Sequence, residues 1–355
     1  MDNKSRIRFE ILKSVLAIGI ALLIVFLTIL LISEQPWQAL YSMFIGPFTS
    51  MRRFGNIIES MTPLIFTGLS VTMLYRVGLF NLSMEGGFFI ASVAATASAV
   101  LLDLPPGLNL LAALFFGALA GGISSLIPGM LKVKCNASEL VTSLMLNYVL
   151  LYLGLYIVVN YLRDSSMNAN YSNAFPENML LPRLVPGTRI NAGTLIALLA
   201  VVVVYVLFHY TALGYKITLI GKNARLAKMA GINVGCVIII SQLIGGALAG
   251  IGGSVELFGM YKRFQYTGLP GFGWDGVLVA TVAQFKPELI PLSAFLLAYL
   301  LVGANIMSME TDVPSEIFSI IQAVVIVLIS AQAILKKYQH RQVVKTARRE
   351  VLHNG

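Results

Sequence analysis

Charge is what this sequence has least of. Only 12% of its 355 residues are Asp, Glu, Lys or Arg, about half the share in an ordinary soluble domain. With 57% hydrophobic residues beside that shortage, a disordered chain is excluded and a water-soluble fold disfavoured. Cysteine is equally scarce, two residues in all, with no CxxC and no Cys/His cluster, so no metal site is assigned. The phosphate-binding pattern GxxxxGK[ST] is missing. Gly221-Lys222-Asn223 lacks both the preceding glycine spacing and the hydroxyl that would hold magnesium, which excludes nucleotide hydrolysis by that route. No Ser/His/Asp, HExxH or paired-carboxylate arrangement has a convincing context. His209, His340 and His353 are too peripheral to organise one, and a membrane enzyme is disfavoured.

What is present is long apolar runs. Stretches free of Asp, Glu, Lys and Arg cover 15–32, 60–75, 86–102, 104–131, 140–162, 190–215, 229–255, 276–285, 289–309 and 317–335, more than half the chain. A membrane-spanning helix needs about 20 such residues, and inside a bilayer the backbone satisfies itself only as helix or closed barrel. The sequence therefore predicts an all-α polytopic membrane protein of about ten transmembrane helices. Its parts are a short N-terminus (1–13), a transmembrane domain (14–335) and a basic tail (336–355). The apolar core of 15–32 is too long for a typical signal peptide and has no small-residue cleavage pattern after it, so it reads as a retained span. If each run crosses once from a cytoplasmic N-terminus, most of the 25 basic residues fall inside and both termini are cytoplasmic, as the positive-inside rule requires. The net charge of +9 then reports topology and inner-leaflet contact of the tail, in preference to nucleic acid. Cys135 and Cys236 fall near cytoplasmic ends, where disulfides are not expected.

Three connections carry information. Residues 34–56 and 161–189 form external segments. The internal loop 211–234 contains a short helix that Asn223 can cap and that Gly231, in a left-handed conformation, can end. Arg225 and Lys228 lie between them, beside Leu226 and Met229. The charges there either enforce topology or receive a soluble partner.

Two interruptions break the apolar pattern: Arg76 to Gly87, with Asn81 and Glu85, and Thr267 to Gly276, with Trp274 and Asp275. Short, Gly/Pro-interrupted spans point to a substrate path, because a broken helix exposes backbone polar groups only where a cavity receives them. Glu85 and Asp275, inside these interruptions, are expected to line that path, whereas Glu59, Glu139 and Glu256 near span ends read as structural. Asn147 beside Tyr148 combines an amide with a ring, a pair suited to a planar polar solute. The runs Gly117 to Gly121 and Gly246 to Gly250 fit close helix packing.

These residues also carry a resemblance. Thr62-Pro63-Leu64-Ile65-Phe66-Thr67-Gly68-Leu69-Ser70 leads to Gly78-Leu79-Phe80-Asn81-Leu82 and Glu85-Gly86; Asn136 to Thr142 leads into Met145-Leu146-Asn147-Tyr148. With Leu213-Gly214-Tyr215, Gly221-Lys222-Asn223, Ala230-Gly231-Ile232 and Gly271 to Gly276, they resemble permease subunits of ABC importers in the simple-sugar and nucleoside branch of the branched-chain amino-acid/ribose permease superfamily. The similarity runs from about Ile45 to Ala331. It implies a multi-pass protein of the bacterial cell membrane with no cofactor and no enzyme activity of its own. The implied partners are an ATPase carrying ATP and magnesium, a second homologous permease in a heterodimer, and an extracellular solute-binding lipoprotein. Nucleosides are the implied cargo, with a simple sugar as the alternative and a proton-coupled secondary transporter as the rival class. The resemblance places a coupling helix for the ATPase on Gly221, Asn223, Arg225, Lys228 and Gly231. The expected solute path is lined by Asn81, Glu85, Asn147, Tyr148, Trp274 and Asp275. The chain departs from the nucleoside pattern at Ser83-Met84-Glu85-Gly86-Gly87, which lacks an amide at Gly87, and at Gln284-Phe285-Lys286-Pro287, where a glycine-rich turn is expected.

Overall fold

A computed structural model describes residues 23, 26–31, 33–102, 104–105, 107–166, 171–314, 316–320 and 322–324. Residues 1–13, the tail 336–355 and most of the runs 15–32 and 317–335 lie outside them. Among the described residues the protein is helical, with only two isolated bridges, Arg163 to Ser172 and Arg183 to Asn191. Seven helices among the described residues are long and apolar enough to cross a membrane.

The chain divides into two units. The first comprises 1–47 and 300–355. In it α1 (Pro36–Phe44) starts on a proline, whose missing N–H is harmless in a first turn. Gly303 approaches the Met43 carbonyl so closely that a Cβ would lie 2.2 Å from it. The Asp312 carboxylate accepts from the Glu34 backbone N–H at 2.8 Å and the Ser33 hydroxyl at 2.7 Å. Those bonds hold its pKa below the usual carboxylate value.

The second unit, 48–299, carries the long helices α2 (Met51–Arg76), α3 (Met84–Leu101), α4 (Leu108–Cys135), α5 (Glu139–Ile157, running on through a π turn at Val158–Leu162), α6 (Gly193–Tyr210) and α9 (Val234–Met260). Between α6 and α9 lie the short α7 (Ala212–Lys222) and α8 (Ala224–Met229). After α9 come α10 (Phe272–Val282) and the start of α11 (Ile290–Glu310). The run 190–215, read as one span, is two helices. Thr211 is extended and caps α7 by accepting from the Gly214 N–H at 3.2 Å.

The run 276–285 does not cross as a single helix. Eleven residues in α10 rise only about 16 Å, against a hydrocarbon core of about 30 Å. The stretch before it, 261–271, is non-helical, so this helix is entered from unwound chain. The turn that follows α10 contains two non-glycine residues in the left-handed region, Gln284 (φ 53°) and Phe285 (φ 55°), a conformation costing about 1–2 kcal/mol per residue. The glycine-rich turn expected here is replaced by a strained one, with the Phe285 ring 5.8 Å from that of Tyr75.

At the centre α4 and α9 cross on glycine. A Cβ on Gly246 would lie 2.3 Å from the Gly121 carbonyl, and one on Gly250 would lie 2.3 Å from that of Gly117. The two small-residue runs are therefore one interface, in which backbone touches backbone and dispersion supplies the attraction that lipid exclusion cannot. Because nothing flexible can yield there, Gly250→Val is expected to destabilise the protein by about 1–3 kcal/mol or more. The readout is a lowered melting temperature in detergent, which Gly268→Ala, at a position where a Cβ meets open space and φ is not positive, does not reproduce.

Candidate functional site: a capped half-helix and its connection to the basic loop

α10 begins against the start of α3, with Gly273 buried there and Trp274 exposed. Four amides at any helix start lack intrahelical partners, and in a bilayer each costs several kcal/mol if left unpaired. Glu85, at the start of α3, accepts from three of them. Its Oε1 accepts from the Gly271 N–H at 2.6 Å and its Oε2 from the Gly273 N–H at 2.5 Å, with the Trp274 amide also directed at it. A carboxylate at a helix N-terminus further gains from the helix dipole. The fit requires glycine, since a Cβ on Gly273 would fall 2.6 Å from Glu85 Oε2 and Gly271 has φ +89°.

The chain just before Glu85, residues 77–83, is unwound and stitched on three sides. From α5, Asn147 donates to the Leu82 carbonyl at 3.0 Å and accepts from the Gly86 N–H at 3.0 Å, and the Ser143 hydroxyl accepts from the Leu82 N–H at 3.0 Å. From α9, Gln242 Oε1 accepts from Asn81 at 2.5 Å. From α4, the Ser125 hydroxyl meets that of Ser83 at 2.8 Å. Asn81 also folds back to accept from the Ser83 N–H at 2.8 Å.

The two interrupted segments, far apart in sequence, thus meet at one point through Glu85. The side chains expected to line a path divide into two groups. Asn81, Glu85 and Asn147 are buried and spent on backbone groups of the broken segments, which makes them positioning residues. Tyr148 and Trp274, each adjacent to one of these contacts, are exposed. Asp275 is half-buried and engaged in an interaction within the chain. Ser143 and Ser125 were not singled out on sequence. Small hydroxyls in apolar helices usually bond their own backbone, and nothing in their spacing distinguishes these two.

The basic loop folds as expected. Asn223 caps α8 by accepting from the Leu226 N–H at 3.0 Å. At the other end Gly231 (φ +78°) donates to the Lys228 carbonyl at 3.1 Å and Ile232 to that of Ala227 at 3.1 Å, the paired bonds of a left-handed helix stop. Ala227 is buried, while Arg225, Lys228, Leu226 and Met229 are exposed. Arg225 and Lys228 border a surface cleft of about 670 Å³ with Ile232 and Val234. The loop is joined directly to the first interruption: a Cβ on Gly221 would lie 2.0 Å from the Arg76 carbonyl, and Gly78 stands against Gly221. Gly221, in the last turn of α7 just before α8, thus abuts residues 76–78, where the stitched segment leading to Glu85 begins.

At the opposite end of the helices Tyr261 and Tyr266 lie edge to face at 5.5 Å. Beyond them, Asp164 accepts from Ser166 and from Arg263 at 3.3 Å, which holds its pKa below the usual carboxylate value. No group of three His, Cys, Asp or Glu gathers among the described residues.

A family model described as the permease component of branched-chain amino acid transport systems matches residues 53–330. The chain is 32% identical over 289 residues to the guanosine ABC transporter permease protein NupP of Bacillus subtilis, covering 81% of this chain and 83% of that one. It is 31% identical over 336 residues to the glucose ABC transporter permease protein TsgB13 of Haloferax volcanii, covering 92% and 88%. With the nucleoside ABC transporter permease protein NupB of Lactococcus lactis it shares 29% identity over 346 residues, covering 95% and 94%.

Replacing Glu85 by Gln keeps the shape but removes the charge and turns one acceptor into a donor facing an N–H. The expected cost is about 1.5–3 kcal/mol, read as a lower melting temperature of the purified protein together with faster proteolysis within 261–276. Unchanged values for both would remove Glu85 as the cap.

Proposed function

The chain belongs to the family of branched-chain amino acid transport system permease components, and from that premise we propose that it is the membrane-spanning subunit of an ABC importer that carries nucleosides. It is a multi-pass protein of the cell membrane. The observation that carries the cargo assignment is the similarity over most of the chain to permeases named for guanosine and for nucleosides. The similarity to a glucose permease keeps a simple sugar as the second reading. In our reading the energy comes from a separate ATPase subunit, which holds ATP and magnesium and docks on α8 at the inner face. A second, homologous permease completes the path, and an extracellular lipoprotein delivers the solute to the segments 34–56 and 161–189.

Mechanistically, the ATPase would press on Arg225 and Lys228, on a helix whose two ends are fixed by Asn223 and Gly231. Gly221 would pass that displacement to Arg76 and Gly78, and residues 77–83 would carry it to Glu85 and Asn147. The carboxylate cap would then tilt α10 and move Trp274 and Tyr148, the exposed members of the site, relative to a solute. Nothing in this sequence of contacts traps the cargo. Release requires a weak site, and differential affinity between states is what a ligand responds to.

Membrane vesicles containing the complete transporter provide the test. Uptake of radiolabelled nucleoside is expected to need ATP and to be unaffected by a protonophore; the reverse pattern would convert the protein to a proton-coupled carrier. With Arg225→Glu and Lys228→Glu combined, uptake should fall at least tenfold while the chain's level in the membrane stays constant. Undiminished uptake would leave α8 with a topological role only.

A further inference from the structure

Four tyrosines stand along one exposed face of α5 and its π turn. Tyr148, Tyr152, Tyr156 and Tyr161 are 59%, 69%, 58% and 67% exposed, while the opposite face, with Ser143, Asn147, Leu150 and Gly154, is buried. At 1.5 Å per residue, Tyr148 and Tyr152 lie about 14 and 20 Å from Glu139, well within a hydrocarbon core of about 30 Å. Tyrosines that face lipid collect at the two interfaces, where the hydroxyl stays wet. At this depth a lipid-facing row would leave several phenols without partners.

The π turn extends the row. Residues four apart share a face of an α-helix, but Tyr156 and Tyr161 are five apart. On a regular helix the second ring would point about 140° away from the first. The turn at Val158–Leu162 brings i and i+5 together and sets the two rings 6.3 Å apart, edge to face. Such turns are a local irregularity that recurs at functional sites, and here the irregularity continues an aromatic row.

We propose that Tyr148, Tyr152, Tyr156 and Tyr161 form a ladder of rings on which the planar base of the cargo stacks as it crosses. The proposal rests on the nucleoside reading above and specifies where the base travels. Aromatic rings bind bases without regard to sequence because every base has a flat face, and steps of four residues put successive rings only about 6 Å apart along the axis. A base leaving one ring therefore already overlaps the next. A subunit interface is the competing occupant of this face. Helix interfaces in membranes favour small residues that let backbones approach, and this chain's glycine-rich faces are already used between α4 and α9. The lower end of the ladder adjoins the site, since Tyr148 follows Asn147, which bonds Gly86 next to Glu85.

The experiment uses the complete transporter in right-side-out vesicles and radiolabelled uridine and guanosine. Tyr148→Leu and Tyr152→Leu are each expected to lower uptake about fivefold or more, the lower end of what one stacking contact contributes. Tyr148→Phe and Tyr152→Phe, which keep the ring, should retain it. A second measurement does not depend on transport. In a Cys135→Ser, Cys236→Ser background, Tyr152→Cys should react with a membrane-impermeant thiol reagent and be protected by nucleoside. Leucine variants that import at the unaltered rate overturn the ladder, as does an unreactive cysteine at 152, which would mean that lipid covers the face. Loss of the second permease on purification of the leucine variants also overturns it, in favour of an interface. If the unaltered transporter takes up no nucleoside at all, the cargo reading fails and the ladder fails with it; if it does and the leucine variants match it, the ladder alone fails.

Discussion

The arrangement of this protein depends on one carboxylate accepting hydrogen bonds from the start of a half-length helix. α10 has only eleven residues, and the first amides of any helix have no intrahelical partner. Glu85 supplies the acceptor, with bonds of 2.6 Å and 2.5 Å to Gly271 and Gly273. Without it, the Gly271 and Gly273 N–H groups at the start of α10 would lose their acceptor, at about 1–3 kcal/mol for each buried donor. The same bonds tie the two interruptions to each other, so neither is positioned independently.

Around that contact, glycine sets distances and polar side chains set register. Gly121 and Gly246 allow α4 and α9 to touch backbone to backbone, and Gly273 leaves room for the carboxylate. Ser125, Ser143, Asn147 and Gln242 then fasten residues 81–86 from three helices. Each of these side chains stands on a helix whose other faces are apolar, so the stitched segment is polar only at its centre. The contact of Gly221 with the Arg76 carbonyl joins this assembly to the basic loop.

Much of this was legible beforehand. The apolar runs gave most of the spans, and the cap and stop of α8 followed from Asn223 and Gly231 because those signals are local. The span boundaries were less legible. Arg52, Arg53 and Glu59 look like the edge of a span, yet α2 starts at Met51 and buries Glu59. Asn81, Glu85 and Asn147 were recognised as unusual but read as facing a solute. Their burial shows that a polar side chain deep in a membrane protein can be consumed by the backbone of a broken helix, and sequence does not state which demand it meets.

By itself the sequence determined that the chain is a bundle of membrane helices with two interruptions and one basic loop, because hydropathy, charge placement and capping are properties of neighbouring residues. Only the tertiary structure decided that Glu85 caps α10, that Gly221 touches Arg76, and that a π turn brings Tyr161 onto the row of Tyr156. Those contacts join residues up to 188 positions apart or depend on a single irregular turn. They arise from where unpaired backbone groups and ring faces come to rest once the helices have packed.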